Sequence, residues 1–134
     1  MSTPDEETKH WLRYALEDLA SAEAMRTLTG VAPRNACYFA QQAAEKALKA
    51  ALIFLQINFP YRHDLDELRD LLPDDWQTKT TCDDLSALTD WVTEARYPTR
   101  LPDATANDAD AAITQARLVC GSIEADLVAH GFAP

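Results

Sequence analysis

The stretch "NACYFAQQAAEKALKAALIFL", Asn35 to Leu55, decides what kind of fold this chain can form. Seven alanines fall between Ala36 and Ala51, and Leu52, Ile53, Phe54 and Leu55 close the run. Ala40, Ala44, Ala47, Ala51 and Leu55 recur at helical spacing, and their small side chains let another helix approach closely. Gln41, Gln42, Glu45, Lys46 and Lys49 sit in the middle of the same helix. Gln42, Glu45, Lys46 and Lys49 lie at i, i+3, i+4 and i+7 and form one polar stripe. Read plainly, that stripe is a wet surface carrying a Glu45–Lys49 pair worth ~0.3–0.5 kcal/mol. A helix with alanine around much of its girth, however, is wrapped by neighbours on more than one side. Its polar stripe would then look into a groove or an interface.

Working outward, 134 residues suffice for a single domain, residues 1–134, with one hydrophobic core. Three glycines leave little material for hairpin turns, and no long segment alternates apolar and polar residues. The expected class is all-α, an antiparallel up-and-down bundle of four to five helices. The polar start from Met1 to His10 is not a signal peptide, and the apolar run from Ala50 to Leu55 is too short for a membrane span. A cytoplasmic protein without membrane contact is expected. Cys37, Cys82 and Cys120 are scattered without a CxxC pair, which suits reduced core residues rather than a disulfide scaffold.

Twenty-two acids against twelve bases give a net charge of −10, which disfavours a broad grip on nucleic acid. Half of the bases are Arg34, Lys46, Lys49, Arg62, Arg96 and Arg100. A local basic site on an acidic protein is compatible with that distribution. Metal binding finds no support in HExxH, paired histidines or CxxC, and no phosphate loop or GxSxG elbow is present. No cofactor is expected.

The helices can be placed by their ends. "TPDE" begins the first, with Thr3 as cap, Pro4 in the first turn and Glu6 completing a capping box. Leu12, Ala15, Leu16, Leu19 and Ala22 form its stripe, and Gly30 follows its end. The second runs from Pro33 to about Ile57 and stops before Pro60. A short third spans about His63 to Leu72, a looser stretch covers Asp74 to Thr80, and the fourth starts with Thr81 as cap. The fourth carries Leu85, Leu88, Val92 and Ala95 and ends at Pro98. The fifth, capped by Thr105, repeats Ala109, Ile113, Ala116, Cys120, Ile123 and Leu127 in a heptad-like seam suited to shallow packing.

"CYFAQQAAEKALKAALIFL", then "YRHDLDEL", then "TEARYPTRLPDATANDADAAITQA" together resemble the HEPN domain family (higher eukaryotes and prokaryotes nucleotide-binding). The resemblance runs from Trp11 to about Leu127 and includes Ala15, Glu17, Asp18 and Leu19 in the first helix. It implies a four- or five-helix bundle, a homodimer, and action beside a small nucleotidyltransferase in a toxin–antitoxin or stress-response system. Some members are metal-independent ribonucleases, which carry an Arg followed four to six residues later by His. No Arg in this chain has a His at that offset, so the chain is similar to the "RYP" branch.

The candidate site follows from where the bases cluster. Lys46, Lys49, Arg62, His63, Arg96 and Tyr97 are expected to border one cleft and hold a nucleotide or RNA phosphate through charge-assisted bonds. Tyr97 or Tyr38 would stack a base, and Glu45 would orient a cation of the cleft. His63 is alternatively a half-exposed cap of the third helix. Two functions stand side by side: a dimeric nucleotide-binding and interaction module, or a ribonuclease using His63 and Arg96 in an atypical arrangement.

Overall fold

The structure, a computed structural model, describes residues 3–94 and 103–134. Among these residues the chain is all-helical: α1 (Pro4–Thr27), α2 (Pro33–Phe54), α3 (Leu65–Asp70), α4 (Thr78–Thr81), α5 (Ser86–Glu94) and α6 (Ala106–Ala129). The expected Thr3–Glu6 capping box forms, and the expected Thr105 cap is also a capping box. Thr3 accepts from the Glu6 amide at 3.1 Å and donates its own amide to the Glu6 carboxylate at 3.0 Å. Thr105 and Asp108 repeat the arrangement at 3.1 and 2.8 Å. Each box satisfies two donors that a helix start would otherwise leave open.

α2 is the axis of the bundle, packed against α1, α3, α5 and α6. Ala36, Ala40, Ala43, Ala44, Ala47, Ala50 and Ala51 are all buried, as are Leu48 and Leu52. Alanine on nearly every face is what lets several helices approach at once. The pairings Asp18–Lys46 and Trp11–Lys49 run α1 antiparallel to α2. Arg26–Asp110 and Glu23–Arg117 run it antiparallel to α6 as well. The whole α6 seam, Ala109, Ile113, Ala116, Cys120, Ile123 and Leu127, is buried.

Among the described residues six helices stand where four to five were expected, α2 ends at Phe54 rather than about Ile57, and α3 is confined to Leu65–Asp70. Leu16, expected on the buried stripe of α1, is exposed. The stretch Asp74–Thr80 contains the single turn α4, held from a distance: Asp126, buried on α6, accepts from the Gln77 and Thr78 amides at 3.0 and 2.8 Å and from the Thr78 hydroxyl at 2.6 Å. Thr81 therefore closes α4 instead of capping the next helix, and α5 starts at Ser86, whose amide donates to Asp84 at 3.1 Å. Ala95 and Pro98, expected in and after that helix, lie outside the described residues. No described helix is long and apolar enough to cross a membrane.

Candidate functional site

α2 ends in a Schellman motif: Ile57 donates to the Leu52 carbonyl at 2.9 Å and Gln56 to the Ile53 carbonyl at 3.0 Å. Gln56 occupies the left-handed region at φ 56°, a place glycine fills more cheaply. The motif turns the chain back along α2, so residues 58–64 return beside Glu45. Asp64 caps α3 by accepting from the Glu67 amide at 3.2 Å, and the Leu65 amide donates to the Thr89 hydroxyl of α5 at 3.1 Å. The cap is thus Asp64, and His63 stands one residue ahead of it, with its ring released for other work.

That ring is oriented by Glu45. His63 Nδ1 lies 2.7 Å from Glu45 Oε1, Gln41 Nε2 donates to the same oxygen at 3.1 Å, and Lys49 Nζ donates to Oε2 at 3.0 Å. Gln42 in turn donates to the Gln41 side-chain oxygen at 2.7 Å. Burial pushes the Glu45 carboxyl upward, but the bonds from Gln41, Lys49 and His63 outweigh it, and the group is held below the ordinary glutamate range. An ionised carboxylate only accepts, so the proton between the two residues belongs to Nδ1. Nε2 then points away from Glu45 with no partner among the described residues, on a side chain 51% exposed. Held this way, the ring can donate from Nε2 when protonated and accept there when neutral.

Lys49 is buried between two rings, 5.9 Å from the Trp11 centroid and 5.6 Å from that of Phe59. Cation–π attraction of this kind suits a desolvated ammonium. Lys49 bonds Glu45 and helps hold that carboxyl below the ordinary glutamate range. Lys46 leaves the cluster altogether, pairing with Asp18 on α1. The stripe read from the sequence is therefore divided: Glu45 and Lys49 stay bonded to each other beside the returning loop, while Lys46 reaches across to α1. Arg62 is on the surface with a long pairing to Glu67 at 3.6 Å. Arg96 and Tyr97 lie outside the described residues, so their meeting with His63 has no geometry here. Gln41 was not among the expected site residues, although its spacing of four before Glu45, and eight before Lys49, was the available signal.

The model of the HEPN domain matches residues 8–125. The crystal structure of TT1696 from Thermus thermophilus is similar with a TM-score of 0.74 at 26% identity, covering 90% of this chain and 98% of that one. The structure of ST0689, an archaeal HEPN homologue, is similar with a TM-score of 0.68 at 27% identity, covering 88% and 95%. No curated protein matches the chain significantly.

Proposed function

This chain belongs to the HEPN domain family, and on that premise we propose that it is a dimeric module binding a nucleotide by its phosphate at His63 and Arg62. The observation that carries this reading is the exposed His63 ring fixed through Nδ1 by a buried, ionised Glu45. A protonated Nε2 and the guanidinium of the preceding residue would supply two charge-assisted donors without recruiting the rest of an acidic surface. Lys49 acts through Glu45 rather than on the phosphate. Lys46, Arg96 and Tyr97 complete the set named from the sequence, and their part is to be read by substitution. Calorimetric titration with ADP tests the site: Arg62→Ala and His63→Ala should each cost about 1.5–3 kcal/mol of binding. A parent that binds no nucleotide would end this reading.

Its partners, in the same proposal, are a second copy and a small nucleotidyltransferase, in a toxin–antitoxin or stress-response pairing. α2 is used up inside the fold, so the face for the second copy is on α1. Leu12, Leu16 and Ala20 line a groove there, flanked by Lys9 and Arg13 towards one end and Glu17 and Glu124 towards the other. An antiparallel copy about a two-fold axis would bring the bases of each chain to the acids of the other. Co-expression with a small nucleotidyltransferase, followed by size-exclusion chromatography, tests the heterologous contact. Separate elution would remove it.

A second reading rests on the same Glu45–His63 pair. Nε2 of a neutral His63 can take the proton of an RNA 2′-hydroxyl as its oxygen attacks phosphorus, then return it to the departing 5′-oxygen. The products would be a 2′,3′-cyclic phosphate and a 5′-hydroxyl, with no metal required. RNA incubated with the protein in chelator should then yield cyclic-phosphate ends that vanish with His63→Gln. Intact RNA would leave the binding reading alone.

A further inference from the structure

Beside the returning loop the surface opens into a cavity of about 660 Å³, within the ~300–1,000 Å³ range of small-molecule sites. Ile57 and Phe59 make its apolar wall, and Tyr61 stands at its margin. Tyr61 is 99% exposed, an aromatic ring that none of the described residues covers. Glu7, from the first turn of α1, and Gln56 and Asn58, from the end of α2, supply the polar rim. Among the described residues none of these three side chains makes a hydrogen bond or ion pair. The cavity lining contains no Lys, Arg or His, so a phosphate would find no cation there and would be repelled by the Glu7 carboxylate.

We propose that this cavity takes the base of a guanine nucleotide. An exposed tyrosine ring is a stacking platform for any base. The rim narrows the choice: guanine carries two adjacent N–H donors, at N1 and N2, which match the two oxygens of one carboxylate. Its O6 and N7 are acceptors, matched by the side-chain amides of Gln56 and Asn58. The inference deepens the phosphate reading given above and rests on it for the other half of the ligand. Phe59 lines the cavity and also touches Lys49, which bonds Glu45, which orients His63. Tyr61 and His63 are two residues apart, at most ~7 Å along an extended chain, so base and phosphate of one nucleotide have a site each on the same loop.

Gln56 offers a test that a structural role would fail. A non-glycine residue in the left-handed region is strained, so Gln56→Gly should raise stability while removing the amide. Titrations of the parent, Tyr61→Ala, Glu7→Gln, Gln56→Gly and His63→Gln with guanosine, GMP, AMP and ribose 5-phosphate separate the two halves. Guanosine and GMP should bind about fivefold or more weakly to Tyr61→Ala and to Glu7→Gln, and AMP should bind the parent more weakly than GMP. Gln56→Gly should also lose affinity for GMP although it melts higher. Ribose 5-phosphate should respond only to His63→Gln. If guanosine does not bind, or the cavity variants leave GMP affinity unchanged, the base site is overturned. If the cavity variants act but His63→Gln changes nothing, the base site stands and the phosphate reading falls.

Discussion

Nδ1 of His63 lies 2.7 Å from Oε1 of Glu45, across eighteen residues of sequence. One partner is buried in α2 and the other exposed on the loop after it. The buried member sets the proton and the orientation, and the exposed member meets solvent. The consequences of that division can be measured.

Glu45 and Lys49 form a buried ion pair at 3.0 Å, and such pairs are costly to break from one side. Glu45→Ala leaves the Lys49 ammonium between Trp11 and Phe59 without its counter-charge, and should cost about 3–5 kcal/mol of unfolding free energy. Lys49→Met should cost less, because Glu45 keeps its bonds from Gln41 and His63. Urea denaturation of both variants checks the order.

The same carboxylate predicts an acid limb. Its folded value is lowered despite burial, so its contribution is complete above the unfolded value of about 4.5. That contribution disappears as pH falls through the lower folded value. Glu45→Gln should flatten the loss of stability of the parent below that pH, in guanidinium melts followed by circular dichroism.

His130 should act in the opposite direction. Nδ1 bonds the Asp126 carbonyl at 2.8 Å and Nε2 the Asp75 carboxylate at 3.2 Å, with the ring stacked on Trp76. Only the imidazolium donates from both nitrogens, so the Asp126 carbonyl and then Asp75 raise its pKa above 6.5. Stability from this source is present below 6.5 and is lost as pH rises through the higher folded value. The parent should lose stability on going from mildly acidic to mildly alkaline buffer, and His130→Gln should lose less.

Cys37 and Cys120 are buried, and burial pushes both thiols up to about 12; Cys82 is buried and raised as well. A thiol so protonated is a poor nucleophile. Ellman's reagent should leave the native protein almost unmodified and label all three cysteines in urea.

The groove on α1 predicts assembly. The parent should scatter light at twice the 14.9 kDa chain mass. Leu16→Glu, at an exposed position, should return it to the monomer with the fold intact by circular dichroism. A monomeric parent at high micromolar concentration would remove the second copy from the proposal.

Much of this fold was legible because its signals are local. The Thr3–Glu6 box, the Thr105 cap, the α6 seam and the alanines of α2 each need only a few residues of context. α4 was missed because its cap, Asp126, comes from another helix 48 residues on from Thr78. Leu16 matched the period of its stripe, yet spacing cannot say how much of a helix face its neighbours cover. At the site, Glu45, Lys49 and His63 do meet, with Glu45 bonding both of the others. Lys46 went elsewhere because α1 crosses α2 with Asp18 in reach, a tertiary fact absent from the stripe itself.

The most direct test of the central claim is a double-mutant cycle on ADP binding, using His63→Ala, Glu45→Gln and the pair together, read by calorimetry. Glu45 is held to act on the ligand through His63, so the two losses should not add: with alanine at 63, Glu45→Gln should change affinity by less than about 0.5 kcal/mol. Alone it should weaken binding clearly. Fully additive losses, or an affinity indifferent to His63→Ala, would contradict a Glu45-oriented histidine as the phosphate-binding group.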